Sequence, residues 1–141
     1  MSLYFDTSAL VPAYLPEACS EKVAIRLGEA DRIYLSRLTE MEFFSALSKK
    51  VRMEELGLEE AQAVATAFDR HLQAHVYTTL RVTNEVFDLG MRYLKGFDTP
   101  LRTLDGLHLA CCALAGLTLI TADTILADCA KRLGVACEKI D

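Results

Sequence analysis

LYFDTSAL, residues 3–10, sets three residues suited to a buried strand directly against an aspartate and a helix-forming tail. LTLITAD, residues 117–123, repeats the arrangement with an apolar run that closes on a second aspartate. Short unbroken apolar runs mark strands covered on both faces, and such strands belong to parallel sheets. In an open parallel α/β sheet the carboxyl ends of the strands share one rim, where loops and helix N-termini gather. If these two strands are parallel, Asp6 and Asp123 stand on the same rim.

Working outward, the chain alternates strands with helices. SLYF is the first strand, followed by a brief helical piece over Ser8–Tyr14 that Pro16 ends. Residues 18–30 place Val23, Leu27 and Ala30 at helical spacing, and RIYLS, residues 32–36, is a second strand. A helix over Thr39–Arg52 turns Phe43, Phe44, Leu47 and Val51 toward a core. Residues 57–75 repeat that pattern through Ala61, Val64, Phe68 and Leu72 after a break at Gly57. VYTTLRV, residues 76–82, is a third strand by its β-branched and aromatic content. Thr83–Leu94 is an amphipathic helix, residues 95–102 a loop, and TLDGLHLACCALAG, residues 103–116, a helix apolar nearly all round and therefore buried. A fourth strand (117–121), a helix closed by Gly134 and a short last strand, VACEKI (135–140), complete the chain. The expectation is an α/β fold: an α/β/α sandwich with a central parallel sheet of four to five strands, in one domain over residues 1–141.

Composition narrows the function classes. The 141 residues are 52% hydrophobic and 25% charged, enough for a sizeable core and unlike a disordered chain. No apolar run approaches the ~18 residues of a membrane span, and no basic stretch with an apolar run opens the chain. Neither a membrane anchor nor a secretory leader is expected. Cys19, Cys111, Cys112, Cys129 and Cys137 show no Cys-x-x-Cys spacing; five with an adjacent pair make no disulfide framework. They read as small buried apolar residues in a reducing cytoplasm. The net charge of -5 counts against a broad basic surface for nucleic acid, although a cluster of metal-binding carboxylates would itself contribute to it.

Four acids fall at the predicted rim: Asp6, Glu42, Asp105 and Asp123. Taken singly, each suits a helix start. Asp6 and Asp123 can cap the helices that follow, and Asp105 in a first turn suits the helix dipole. TEME, residues 39–42, reads as a capping box with Thr39 as cap and Glu42 at the third helical position. Taken together they are costly. At an effective dielectric of about 20, two carboxylates ~4–5 Å apart repel by about 3–4 kcal/mol. Either the four do not meet, or a divalent cation holds them. Oxygen ligands without paired His or Cys select a hard ion, Mg²⁺ or Mn²⁺, which serves phosphoryl-transfer chemistry.

YFDTSALVPAYLPE, SRLTEMEFFSAL, LRTLDGLHLACCAL and LTLITADTILADCAKRLGV resemble, in order, the four acidic motifs of PIN-domain ribonucleases. The nearest likeness is to VapC-type toxins of type II toxin-antitoxin modules, over nearly the whole chain. The resemblance implies a Rossmann-like PIN domain with Mg²⁺- or Mn²⁺-dependent endoribonuclease activity. It puts Asp6, Glu42, Asp105 and Asp123 in a metal-binding catalytic site, with Ser8 and Thr121 as polar supports. It further implies a homodimer in the cytoplasm and a small antitoxin that blocks the site. Pro12 stands where these toxins often carry a lysine, and Gly106 where a better helix former is common. In the last motif Asp123 is favoured over Asp128, which lies roughly 140° away around the helix.

Other candidates carry less. His71 and His75 are spaced i, i+4 but lack the glutamate of a His-Glu-x-x-His zinc motif and any third ligand. His108, three residues after Asp105, reads first as a hydrogen-bonded core histidine and second as an orienter of a metal ligand. Arg37 and Arg102 precede helices that carry rim acids and are candidates for RNA binding. Lys49, Lys50 and Arg52 read rather as cations offsetting a helix dipole. Two alternatives keep the fold: a catalytically inactive, dimeric PIN-like binding module, and a DNA-directed nuclease.

Overall fold

The structure is a computed structural model describing Met1–Asp141. Five strands, β1 (Ser2–Phe5), β2 (Arg32–Ser36), β3 (Tyr77–Leu80), β4 (Thr118–Thr121) and β5 (Cys137–Lys139), form one sheet in the order β3-β2-β1-β4-β5. Every neighbouring pair is parallel. The helices are α1 (Thr7–Leu10), α2 (Ser20–Glu29), α3 (Arg37–Arg52), α4 (Leu58–Gln73), α5 (Asn84–Leu94), α6 (Thr103–Ala115) and α7 (Thr124–Arg132). The expected α/β/α sandwich is present, with five strands. The chain winds outward from β1 to β3, then crosses back to β4 on the other side of β1. That reversal opens a crevice at the carboxyl ends of β1 and β4, the place where open α/β sheets bind ligands.

Alternation along the strands divides the core. Leu3 and Phe5 of β1 pack with Val23, Phe43, Leu47 and Phe68 from α2, α3 and α4. Tyr4 and Leu119 pack on the other face with Val86, Leu109, Ala110 and Leu126 from α5, α6 and α7. Both faces are apolar, which is why β1 reads as an unbroken hydrophobic run. Phe43 and Phe68, with ring centroids 4.1 Å apart, anchor α3 to α4.

Several local expectations shift. Helix α3 begins at Arg37, two residues before the expected Thr39, because Ser36 at the end of β2 takes the capping role. The Ser36 side chain accepts the Thr39 N–H, and the Thr39 hydroxyl accepts the Ser36 N–H, both at 3.3 Å. The capping box is therefore Ser36 with Thr39, and Glu42 lies past the first turn, available for other work. Pro12 sits in a buried 3₁₀ turn over Val11–Ala13 and does not distort α1, since its missing N–H falls where no helical bond is due. His75 lies beyond the end of α4 with φ 56°, so it shares no helical face with His71. All five cysteines are free thiols; four are buried, while Cys137 is only half-buried.

Helices α5 and α6 meet through glycines. A Cβ at Gly90 would stand 3.4 Å from the Gly106 carbonyl oxygen, and one at Gly106 3.7 Å from Leu101 and 3.8 Å from the Gly90 oxygen. Gly106 thus buys close helix contact beside Asp105, yet the space accepts one methyl group and no more. Gly106→Ala should stabilise the protein by about 0.5–1 kcal/mol through helix propensity, raising Tm by about 2–4 °C. Gly106→Leu should lower it through overpacking of about 1–3 kcal/mol. Differential scanning calorimetry of the two variants checks both signs.

Candidate active site

Asp6 leaves β1 at the crevice and is 4% exposed. Its Oδ1 accepts the Ala9 N–H at 3.1 Å, capping α1, and the Ser8 hydroxyl at 2.8 Å. Its Oδ2 accepts the Thr121 hydroxyl at 2.6 Å. Sheet register makes this last bond available: Phe5 pairs with Ile120, so the next residue on each chain segment, Asp6 just past β1 and Thr121 at the end of β4, face each other across the seam. Ser8 and Thr121, the two candidate supports, also touch at 3.1 Å, and Thr121 accepts the Asp123 N–H at 3.1 Å. Burial pushes the Asp6 carboxyl above its ordinary range even against these donors.

Glu42 projects from α3 toward the same rim. Its Oε1 accepts the Thr7 hydroxyl at 2.8 Å and lies 2.5 Å from His108 Nε2. Burial works to raise this carboxyl, but the His108 and Thr7 bonds outweigh it and hold the group below its ordinary range. Asp105, in the first turn of α6, has no close donor; the Arg102 guanidinium stands 4.0 Å away. Burial first, then the charge of Asp123 and more weakly that of Glu42, push the Asp105 carboxyl up. Asp123 caps α7, its Oδ1 accepting the Leu126 N–H at 3.1 Å. Asp128 is exposed on α7 and does not line the cavity beside Asp105.

Asp105 is therefore within electrostatic reach of both Asp123 and Glu42, with Asp6 buried in the seam. An open cavity of about 580 Å³ is lined by Glu42 and Asp105 of these acids, by Arg102 and by the apolar Leu94, Leu101 and Leu104; Asp6 and Asp123 lie outside its lining. Arg102 is part of this cavity. Arg37 is not: it pairs with Glu40 at 2.8 Å and lines a separate groove at the end of β3 with His75, Thr78 and Arg81. Lys49, Lys50 and Arg52 occupy the last turn of α3, away from the crevice. His71 bonds the Tyr14 hydroxyl at 2.6 Å.

The donor set suits a hard cation. Each acid keeps carboxylate acceptor capacity after its hydrogen bonds, and no Cys or free His nitrogen competes. The geometry is open rather than caged: no three of the His, Cys, Asp and Glu side chains stand close enough to share one ion. Mg²⁺ and Mn²⁺ tolerate such openness, since they keep several waters and use one or two carboxylates directly. Two contributors escaped the sequence. Thr7, which falls before the helical piece expected over Ser8–Tyr14, opens α1 and binds Glu42, and Tyr4, read as part of the first strand, meets His108 Nδ1 at 2.6 Å. Only spatial pairing of β1 with α3 and α6 reveals them.

Solved structures share this fold. VapC20 of Mycobacterium tuberculosis, described as a sarcin-ricin loop cleaving toxin, superposes with TM-score 0.72 at 15% identity over 95% of this chain and 96% of its own. FitAcB of Neisseria gonorrhoeae gives 0.73 at 20% identity over 96% and 95%. VapBC2 of Rickettsia felis, bound to a DNA fragment from its promoter, gives 0.71 at 16% identity over the full length of both chains. At these identities the likeness speaks to the fold alone. No curated protein matches the chain. No helix is long and apolar enough to cross a membrane. The PIN domain family matches residues 3–132, from the strand that delivers Asp6 to the helix that Asp123 caps, and the chain belongs to that family.

Proposed function

We propose that this PIN domain is a Mg²⁺- or Mn²⁺-dependent endoribonuclease, a single-domain cytoplasmic toxin that works as a homodimer and is held in check by a small cognate antitoxin. The observation that carries this is the cavity at the sheet rim that Glu42 and Asp105 line together, with Asp123 close enough to raise the Asp105 carboxyl and Asp6 buried in the β1–β4 seam. The antitoxin partner draws support from the fold neighbours solved as VapBC and FitAB assemblies. In this reading Asp6, Glu42, Asp105 and Asp123 are the residues that would hold the ion. When bound, it supplies the positive charge that activates water and offsets charge developing on the phosphodiester.

The chain's own residues do the rest. Ser8 and Thr121 fix the Asp6 carboxylate from both oxygens, so that its orientation is set before substrate arrives. Arg102, exposed at the cavity edge, offers a guanidinium to a phosphate oxygen. Leu94, Leu101 and Leu104 give an apolar wall against which a base or ribose can rest. A second reading, the inactive dimeric binding module, is favoured by the lack of any three-ligand group. Metal binding separates the two.

With Mn²⁺ or Mg²⁺ the purified protein should cleave structured RNA, and EDTA should stop it. Asp6→Asn should lose at least about 100-fold in rate, roughly 2.7 kcal/mol of transition-state stabilisation, while its circular dichroism stays unchanged. Undiminished cleavage by that variant rejects the assignment; absence of both Mn²⁺ binding and cleavage in the wild type selects the binding module.

Asp105 yields a prediction of opposite sign for stability. Its folded pKa is raised, so the fold disfavours its ionised form, a penalty fully present above the raised value. The penalty shrinks as pH falls from there and is gone below the ordinary value of 3.8. In the metal-free protein Asp105→Asn should therefore raise Tm at pH 7.5, with the gain vanishing in acid. Thermal melts of both proteins across pH check this, and a loss of Tm at neutral pH contradicts it.

A further inference from the structure

Within α6 every residue from Gly106 to Cys112 is buried, and His108 is the one charged or strongly polar side chain among them, 2% exposed. A bare imidazole there would cost several kcal/mol, yet both ring nitrogens are bonded. Nε2 lies 2.5 Å from Glu42 Oε1 and Nδ1 2.6 Å from the Tyr4 hydroxyl. Tyr4 in turn donates to Ser36 Oγ at 2.9 Å, and Ser36 caps α3, the helix that carries Glu42. The bonds close a circuit from the α3 cap through β1 and α6 back to α3, joining the three elements that deliver Glu42, Asp6 and Asp105.

The circuit has a direction at its Glu42 end. An ionised carboxylate only accepts, so Nε2 is the donor. His108 and Thr7 both bond Oε1, which commits one oxygen to the protein and leaves Oε2 for the cavity that Glu42 lines with Asp105. A free glutamate side chain carries up to about 1.5–2 kcal/mol of rotamer entropy that must be lost on binding anything. Here it is lost on folding.

We propose that His108 is a positioning residue for the metal-dependent nuclease: it acts through Glu42, locking the carboxylate so that Oε2 alone is presented to the cavity. This rests on the endoribonuclease reading, and it differs from a core histidine that merely satisfies its own polarity. His108→Gln keeps a donor near the place of Nε2 and so the bond to Glu42. His108→Asn keeps a polar group near Nδ1 and Tyr4 but cannot reach Glu42.

The test compares the two variants with wild type by Mn²⁺ calorimetry, RNA cleavage and Tm. Asn should weaken Mn²⁺ affinity and cleavage by about 10–100-fold, as loss of a partner behind a metal ligand does, while Gln stays within a few-fold of wild type at a similar Tm. In the metal-free wild type, ¹⁵N-edited spectra should show a slowly exchanging, downfield Nε2 proton. Equal Mn²⁺ affinity and activity in Asn and wild type, losses that follow Tm in both variants alike, or an absent Nε2 proton signal each overturn the proposal. A wild type that neither binds Mn²⁺ nor cleaves RNA overturns the nuclease reading together with it, whereas an active wild type with an unaffected Asn variant overturns the His108 role alone.

Discussion

A carboxylate buried at the seam between β1 and β4 is the constraint around which this rim is built. Ionised Asp6 loses its hydration, and three donors at 2.6–3.1 Å replace part of it. Each donor comes from a different structural commitment. Ala9 N–H requires α1 to start directly after the strand; the Ser8 hydroxyl requires that turn to fold back on its own cap. The Thr121 hydroxyl requires β4 to pair with β1 in the observed register. A one-residue slip of β4 would turn its side chains to the opposite face and remove the shortest of these bonds. The switch-point topology and the buried acid therefore hold each other in place.

The other acids are held differently, and the contrast is physical. Glu42 is tied at one oxygen by Thr7 and His108, which is why it remains readily ionised despite partial burial. Asp105 has only a distant arginine and two like-charged neighbours. A fold selected for stability alone would not keep an acid there, since removing that charge relieves both desolvation and repulsion. Strain of this kind concentrates where charge is to be bound, and here it coincides with the open cavity.

Much of this was legible in the sequence, for identifiable reasons. The runs LYF and LTLIT declared a sheet covered on both faces, and a parallel sheet put Asp6 and Asp123 on one rim without knowledge of any contact. The helix starts were less legible. Thr39 reads as a cap because it is followed three residues later by a glutamate, but Ser36 stands at the strand end and takes the role first. Local patterns do not rank two competing hydroxyls; the end of β2 does. Tyr4 and His108 lay further out of reach, being 104 residues apart and both in apolar surroundings, where a polar atom looks like an exception rather than half of a pair. Gly106 reads as a weak point in a helix until Gly90 is seen to approach it.

The two halves of the rim thus have different stiffness. Asp6 and Glu42 are fixed by five hydrogen bonds through donors on α1, β4 and α6, while Asp105 lines the cavity with no close donor and Asp123 accepts only the Leu126 N–H that it caps. Asp105 feels the like charge of Asp123 and Glu42, yet no three of the acids stand close enough to form a ligand group. On the proposed reading, a divalent cation held by Asp6, Glu42, Asp105 and Asp123 would offset that like charge, and two of these four acids are already fixed by the protein. Preference for a hard ion would follow from the all-carboxylate donor set, and the fixing of buried Asp6 and tethered Glu42 would lower the ordering cost of binding it, because that side-chain freedom is already lost on folding.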